Sequence, residues 1–329
     1  MDKKPDKPIL QPDEVKKWAG NIVMAAKNTI SEVVDNIKES SDEYGKKQLA
    51  AKREKDLLLL RPVFKEMLPQ AADALPDAAS VSTFAMPAII HVVEKDKKHA
   101  ESGVCEHSLG HLSTENGVQV LNVYPHHLKD LNLEFYPNRE KDIYYVDPCQ
   151  KDHYIDIHEY FQKLKMARVN ELEQLAYSLG AKHVEIVFKT NNVELEKAKK
   201  KAELGAKKGK KKIVEIKAEH SDNELKKESN EDEKILDLSG HDDPQVPELI
   251  YFKDDVDIQS LINMRMDKKS YLKSKECKIK YSNSSGIKES DAAKIQGALD
   301  NLGNGNAGVS ILNETLNESC TTLIYKIEF

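Results

Sequence analysis

The residues best suited to chemistry lie in the stretch VCEHSLGH, residues 104–111, and in a second stretch about forty residues further on. Their side chains are those of typical metal ligands, with C-x-H-x3-H spacing in the first stretch: Cys105, His107, His111, Cys149 and His153. Zinc takes about four nitrogen or sulfur ligands in tetrahedral geometry, commonly as two short pairs from separate parts of a chain. One hypothesis is therefore a zinc site that stabilises a domain or serves a metal-dependent hydrolase. No cofactor other than zinc is expected.

The same stretch has other interpretations. The chain has 11 histidines, so some neighbours arise by chance, and His107 and His111 are then ordinary turn or surface residues. The sequence EHSLG around Ser108 matches a G-x-S-x-G nucleophile elbow except that Glu106 replaces the first glycine, which the sharp turn requires. Cys105 and His107 are too close in sequence to adopt the geometry of a thiolate–imidazole pair. No motif therefore specifies a reaction.

A glycine-rich stretch, LGNGNAGVSI at residues 302–311, has the G-x-G-x-x-G spacing of phosphate-binding loops. Such a loop follows a strand and opens a helix, whose N-terminus binds the phosphate. Here the pattern predicts the reverse order, with Gly303 after a helix and Gly308 at the start of a strand, GVSIL. Glycine and asparagine suit tight turns because they accept positive φ. We therefore expect a turn and no nucleotide site.

A lysine-rich segment precedes an acidic one in the second half of the chain. KKIVEIKAE alternates apolar and charged residues, and KILDLSG can pair with it, which predicts a long charged β-hairpin inserted at about 193–257. The densest lysines are Lys207, Lys208, Lys210, Lys211 and Lys212. Such a run either is a solvated arm neutralised by its acidic neighbour or contacts anionic lipid or phosphate. It lacks arginines and aromatic residues, so no specific recognition of nucleic acid is expected.

The apolar pattern of the N-terminal region, residues 1–70, predicts an amphipathic helical arm. Its apolar stripe includes Trp18, Ile22, Ile30 and Val33, and Pro62 is expected to kink or end the following helical stretch. The stripe packs on its own domain or on another subunit or protein. Because the polar face mixes both charges, a protein partner or a second copy is preferred over a membrane surface.

The remaining pattern predicts an α+β fold. After an irregular connection at 71–117, a core at 118–329 contains short strands such as VQVLNVYP and HVEIVFK, and a helix that ends at Gly180. TTLIYKIEF is a further strand. Two split β-α-β units on a mostly antiparallel sheet account for this order.

Composition limits the classes of function. The net charge of −6 argues against a dedicated nucleic-acid binder, and the sequence has no apolar run long enough to span a membrane. Four scattered cysteines do not form a disulfide framework, so a cytoplasmic location is expected. The sequence favours a non-enzymatic interaction or scaffold protein that uses the helical arm and the charged hairpin. A zinc-dependent protein and a peripheral membrane protein are the alternatives.

Overall fold

The structure of the chain is a computed structural model that describes residues 43–68, 84–208, 231–267 and 272–329. The chain divides into two compact units. Unit 1 comprises Met1–Val146 and Gln150–Ile157, and unit 2 comprises Asp147–Cys149 and His158–Phe329. Helices accompany a seven-stranded mixed sheet in unit 1 and a four-stranded antiparallel sheet in unit 2 among the described residues. The α+β class is therefore confirmed.

Unit 1 is built on the mixed sheet. Helix α1 (Glu43–Leu60) ends just before Pro62, as its position predicts. A short helix, α2 (Lys97–Glu101), lies between the second and third strands. The strands are β1 (Pro62–Val63), β2 (Ile89–Val92), β3 (Gly110–Glu115), β4 (Val118–Val123), β5 (Glu134–Tyr136), β6 (Ile143–Val146) and β7 (His153–Asp156). Their order is β1-β3-β4-β2-β6-β7-β5, in which β2 runs parallel to β4 and β5 parallel to β7.

The range 71–117, expected as an irregular connection, contains β2, α2 and β3 in its described part. These elements are short, and β2 is central in the sheet because its β-branched residues pair with β4 and β6. One face of the sheet carries the apolar core, which includes Ile90, Leu112, Leu121, Val123 and Tyr144.

Unit 2 is built on the antiparallel sheet. Its helices are α3 (Tyr160–Leu179), α4 (Asn192–Lys208), α5 (Val256–Met266), α6 (Glu289–Asn301) and α7 (Gly305–Ser319). Its strands are β8 (His183–Thr190), β9 (Glu231–Asp237), β10 (Ser274–Lys280) and β11 (Thr321–Glu328), in the order β10-β11-β8-β9. As predicted, α3 ends at Gly180, which has φ 76°. This left-handed position suits glycine because a side chain strains it.

Helices α3 and α5 cover one face of this sheet. The shared core includes Leu172 and Leu175 of α3, Leu261 of α5, and Ile186 and Tyr325 of the sheet. A buried carboxylate on α3 fixes the chain that leads into α5, because Glu171 accepts hydrogen bonds from the backbone N–H groups of residues 250–252. The helices therefore hold one side of the sheet rigidly.

Two stretches differ from their predicted conformations. GVSIL was expected as a strand and lies in α7, where Ala307 and Ile311 are buried at a helical spacing. The stretch GNGNAG therefore joins two helices, and the argument that it precedes a strand was wrong. Residues 192–208, at the start of the predicted hairpin insertion, form α4, because lysine, alanine, glutamate and leucine all favour helix. KILDLSG begins in β9, which pairs with β8, while KIVEIK lies outside the described residues.

Candidate functional site

The candidate zinc ligands occupy different environments. Cys105 is buried at the end of a 3₁₀ turn, and His107 is 73% exposed with φ 60°. His111 lies on β3, while His153 lies on β7. Cys149 is exposed and belongs to unit 2. In the part of the chain that the structure describes, no three histidine, cysteine or acidic side chains are grouped so as to hold a metal ion. The zinc site stays a prediction.

The serine of the elbow-like stretch is a turn residue. Ser108 is 2% exposed, and its hydroxyl donates to the carbonyl oxygen of Cys105 at 2.8 Å. Burial raises the pKa of the Cys105 thiol. A buried thiol with a raised pKa has little thiolate and is a poor nucleophile. The geometry therefore gives these two side chains a structural role.

The structure instead brings His111 together with two histidines that the sequence analysis does not single out. We call His91, His99 and His111 the histidine cluster. The pairing of β2, β4 and β3 aligns His91, Asn122 and His111 in one cross-strand row. His91 Nδ1 lies 3.1 Å from Asn122 Oδ1, and the His99 and His111 rings stack with their centroids 3.9 Å apart. The row thus forms a polar band on the sheet.

Helix α2 positions His99. Asp96 caps the helix by accepting a hydrogen bond from the backbone N–H of His99, and its carboxylate also lies 2.9 Å from His99 Nδ1. The other ring nitrogen, Nε2, lies 3.3 Å from the carbonyl oxygen of Leu60. His99 is therefore fixed in both position and ring orientation.

The surroundings of two members of the cluster, His111 and His91, favour the neutral ring. Burial, reinforced by His99 and His91, lowers the pKa of His111 to about 4, and burial also lowers the pKa of His91. His111 Nδ1 is buried and has no hydrogen-bond partner among the described residues. Protonation of His111 and His91 at acidic pH therefore opposes folding.

The structure describes only some of the other predicted contact residues. Trp18, Ile22, Ile30 and Val33 lie outside the described residues, as do Lys210, Lys211 and Lys212. Lys207 and Lys208 are the last two residues of α4. The roles of the helical arm and of the lysine run stay predictions.

A large polar surface is found on unit 2. We define the open sheet face as the side of the four-stranded sheet opposite α3 and α5. Along each strand it comprises alternate residues, which in antiparallel pairing align into rows. It consists of Ser274, Glu276, Lys278 and Lys280 of β10, Thr322, Ile324, Lys326 and Glu328 of β11, His183, Glu185, Val187 and Lys189 of β8, and Glu233, Ile235 and Asp237 of β9.

This face is accessible in the structure. The side chains of Lys278, Glu276 and Lys326 are 68%, 45% and 44% exposed, and Ile235 is 52% exposed. A shallow depression of about 390 Å³ lies on it, lined by these charged residues and by Val187 and Ile324. Charged side chains therefore dominate the face, together with partly exposed Ile324 and with Ile235 on the edge strand, while Val187 is only 5% exposed.

The charges are distributed unevenly between the two edge strands. Glu233 and Asp237 make the β9 edge acidic, whereas Lys278 and Lys280 make much of the β10 edge basic. Between them, Lys326 and Glu185 form an ion pair, in which the hydrogen bond raises the pKa of Lys326 and lowers that of Glu185. Both groups therefore stay charged at neutral pH.

The sequence holds a signal for this surface. CKIK and HVEIVFK alternate apolar and charged residues, so a half-buried sheet is predictable. Their partners and the covered side follow only from the pairing in the structure.

Comparisons with protein-family models, with curated proteins and with solved structures find no match. Within the described ranges, none of the helices combines the length and the apolar character needed to cross a membrane.

Proposed function

We propose that this chain is an interaction protein that binds another protein surface through the open sheet face. The observation that carries the proposal is a four-stranded sheet with helices packed on one side and exposed charged and apolar side chains on the other. Protein interfaces combine apolar and charged side chains, and the open sheet face presents both kinds.

The mixture of charges on the open sheet face favours a protein partner over a nucleic acid. A surface that binds a phosphate backbone is dominated by lysine and arginine. Here Glu185 and Glu276 lie among the lysines, and Glu233 lies on the opposite edge. Such a surface repels phosphate locally but complements a protein surface of mixed charge.

Amine labelling in cells tests the proposal. Lys278 on the open sheet face has a matched control in Lys294 on α6, since their side chains are 68% and 58% exposed. Each lysine also lies near one carboxylate, at 3.2 Å from Glu276 and 3.0 Å from Asp291 respectively. An acylating reagent is applied to intact cells that contain the protein and to dilute purified protein, and modification is quantified by mass spectrometry.

We expect Lys278 to be protected several-fold in cells relative to dilute protein, while Lys294 is modified equally in both samples. Protection of Lys278 alone supports a partner on the open sheet face. A sample of purified protein at about 1 mM is labelled alongside, and equal modification of Lys278 in all three samples refutes the proposed function.

A further inference from the structure

Resting on this proposed function, we infer that the partner on the open sheet face is a second copy of this chain. The two sheets pack face to face about a two-fold axis parallel to their strands. The strand order and the pairing register of unit 2 determine which side chains that axis brings together.

The symmetry fixes the opposing strands. A two-fold axis in the interface, parallel to the strands and midway between β11 and β8, inverts the order β10-β11-β8-β9. Strand β10 of one copy then lies opposite β9 of the other, and β11 lies opposite β8. Each cross-strand row of one copy therefore lies opposite the same row of the other copy.

Of the two central rows, one is self-complementary at all four positions under this operation. This row reads Lys278, Ile324, Val187 and Glu233 across the sheet, as the pairing shows. It places Lys278 opposite Glu233 of the second copy, and Ile324 opposite Val187. Each contact occurs twice. The row therefore contributes a small apolar contact, mainly through Ile324 because Val187 is 5% exposed, flanked by two opposite-charge pairs.

The neighbouring row reads Glu276, Lys326, Glu185 and Ile235. The axis places the ion pair of Lys326 and Glu185 opposite the same pair in reverse order, and it places Glu276 opposite Ile235 of the second copy. The four charges then alternate in sign around the axis. Such a network offsets part of the cost of removing these charges from water.

The other simple two-fold axis fits less well. An axis in the interface but perpendicular to the strands places each strand opposite itself with the rows reversed. Glu276 then meets Lys278, but Ile324 faces Lys326 and Val187 faces Glu185 across the interface. Glu233 also faces Ile235, so this axis makes three kinds of apolar-to-charge contact, whereas the parallel axis makes one, between Glu276 and Ile235. Burying apolar side chains against charges is unfavourable. The parallel axis is therefore favoured.

The size of the surface predicts a weak dimer. Four strands about 4.8 Å apart and seven residues at about 3.4 Å per residue give a planar footprint of roughly 450 Å² per copy. The total of about 900 Å² is at the low end for specific interfaces. We expect a dissociation constant on the order of 100 µM.

Sedimentation equilibrium with the full chain tests the inference, by following the mass from that of one 37.2 kDa chain toward twice that value. The two edge contacts each join residue 278 of one copy to residue 233 of the other. In either variant, Lys278→Glu or Glu233→Lys, both edge contacts become like-charge pairs. Each variant alone should dimerise at least about tenfold more weakly than the unaltered chain. Lys294→Glu, the same charge change on α6, should leave the dimer unchanged.

Mixing the two weakened variants gives the decisive result. In a heterodimer of Lys278→Glu with Glu233→Lys, both edge contacts again join opposite charges, so association should return. The double variant should likewise recover its self-association. Folding defects do not produce this pattern, because residues 278 and 233 are on opposite edge strands, roughly 14 Å apart.

The outcomes separate this inference from the proposed function. A chain that stays monomeric up to about 1 mM, well above the expected dissociation constant, overturns the second copy as partner. So do single variants that dimerise like the unaltered chain, or a mixture that fails to associate. If Lys278 is nevertheless protected in cells, a different protein occupies the face and the proposed function stands. If Lys278 is protected neither in cells nor in purified protein at about 1 mM, both proposals fall.

Discussion

The pKa of His111 makes the stability of unit 1 depend on pH in a direction that can be derived. Its folded-state pKa is about 4, against an ordinary value of 6.5, because burial and the neighbouring His99 and His91 disfavour the charged ring. The unfolded chain therefore binds a proton more readily than the folded chain. The stabilisation is fully present above pH 6.5 and is lost as the pH falls from 6.5 to 4.

The magnitude follows from the shift. A difference of about 2.5 pKa units corresponds to about 3.4 kcal/mol at 1.36 kcal/mol per unit. His111 is only half-buried, and the carboxylate of Asp96 favours protonation. Solvent screening reduces the effect, so we expect about 2 kcal/mol. In the same way as Asp96 at His111, the carboxylates of Asp142 and Glu115 favour protonation of His91.

The variant His111→Phe removes the titrating group and keeps a ring that can stack on His99. Urea unfolding is followed at pH 7.5 and pH 4.5 by pulsed hydrogen exchange, using peptides from β3 and β4. On acidification, the free energy of unfolding of the unaltered chain should fall by about 2 kcal/mol more than that of the variant, because both share all other titrating groups. Equal losses would show that His111 does not titrate in this window, and the reasoning would be wrong.

Further predictions concern the supports of the two units. Glu171→Gln should destabilise unit 2 by about 3 kcal/mol in urea unfolding, because the backbone N–H groups of residues 250–252 lose a charged acceptor; unchanged stability would contradict this role. Gly110→Ala should cost at least about 3 kcal/mol in unit 1, since a Cβ there would lie 1.9 Å from a backbone oxygen, while Gly103→Ala, with no atom within 4 Å, should be neutral. A maleimide should modify exposed Cys149 much faster than buried Cys105 in folded protein, with equal rates in urea; equal rates without urea would count against the burial of Cys105.

Local signals predicted much of the secondary structure. The strands at His183–Thr190 and Thr321–Glu328 alternate apolar and polar residues, and Gly180 marks the end of α3. These features depend on neighbouring residues only. GVSIL was misread because five residues with a valine and an isoleucine suit a strand as well as a buried helix, and only the longer spacing of Ala307, Ile311 and Thr315 reveals the helix.

The histidine cluster could not be predicted because its members meet through pairing at a distance. His91 and His111 are 20 residues apart, and they share a row only because β4 is parallel to β2 and antiparallel to β3. His99 joins them from a helix. Sequence spacing contains no record of such a crossover, so C-x-H-x3-H directed attention to His107, which is exposed.

The open sheet face also depends on strand pairing between distant parts of the chain. The period of two in CKIK identifies which residues share a face, but it does not say whether a helix covers that face. In unit 2 the apolar positions are covered by α3 and α5, so charged side chains such as Lys278 are left on the other side. The order of strands then separates acidic β9 from basic β10 by two strands. Because that separation is a property of the assembled sheet, the charge complementarity between two copies follows from topology and register together.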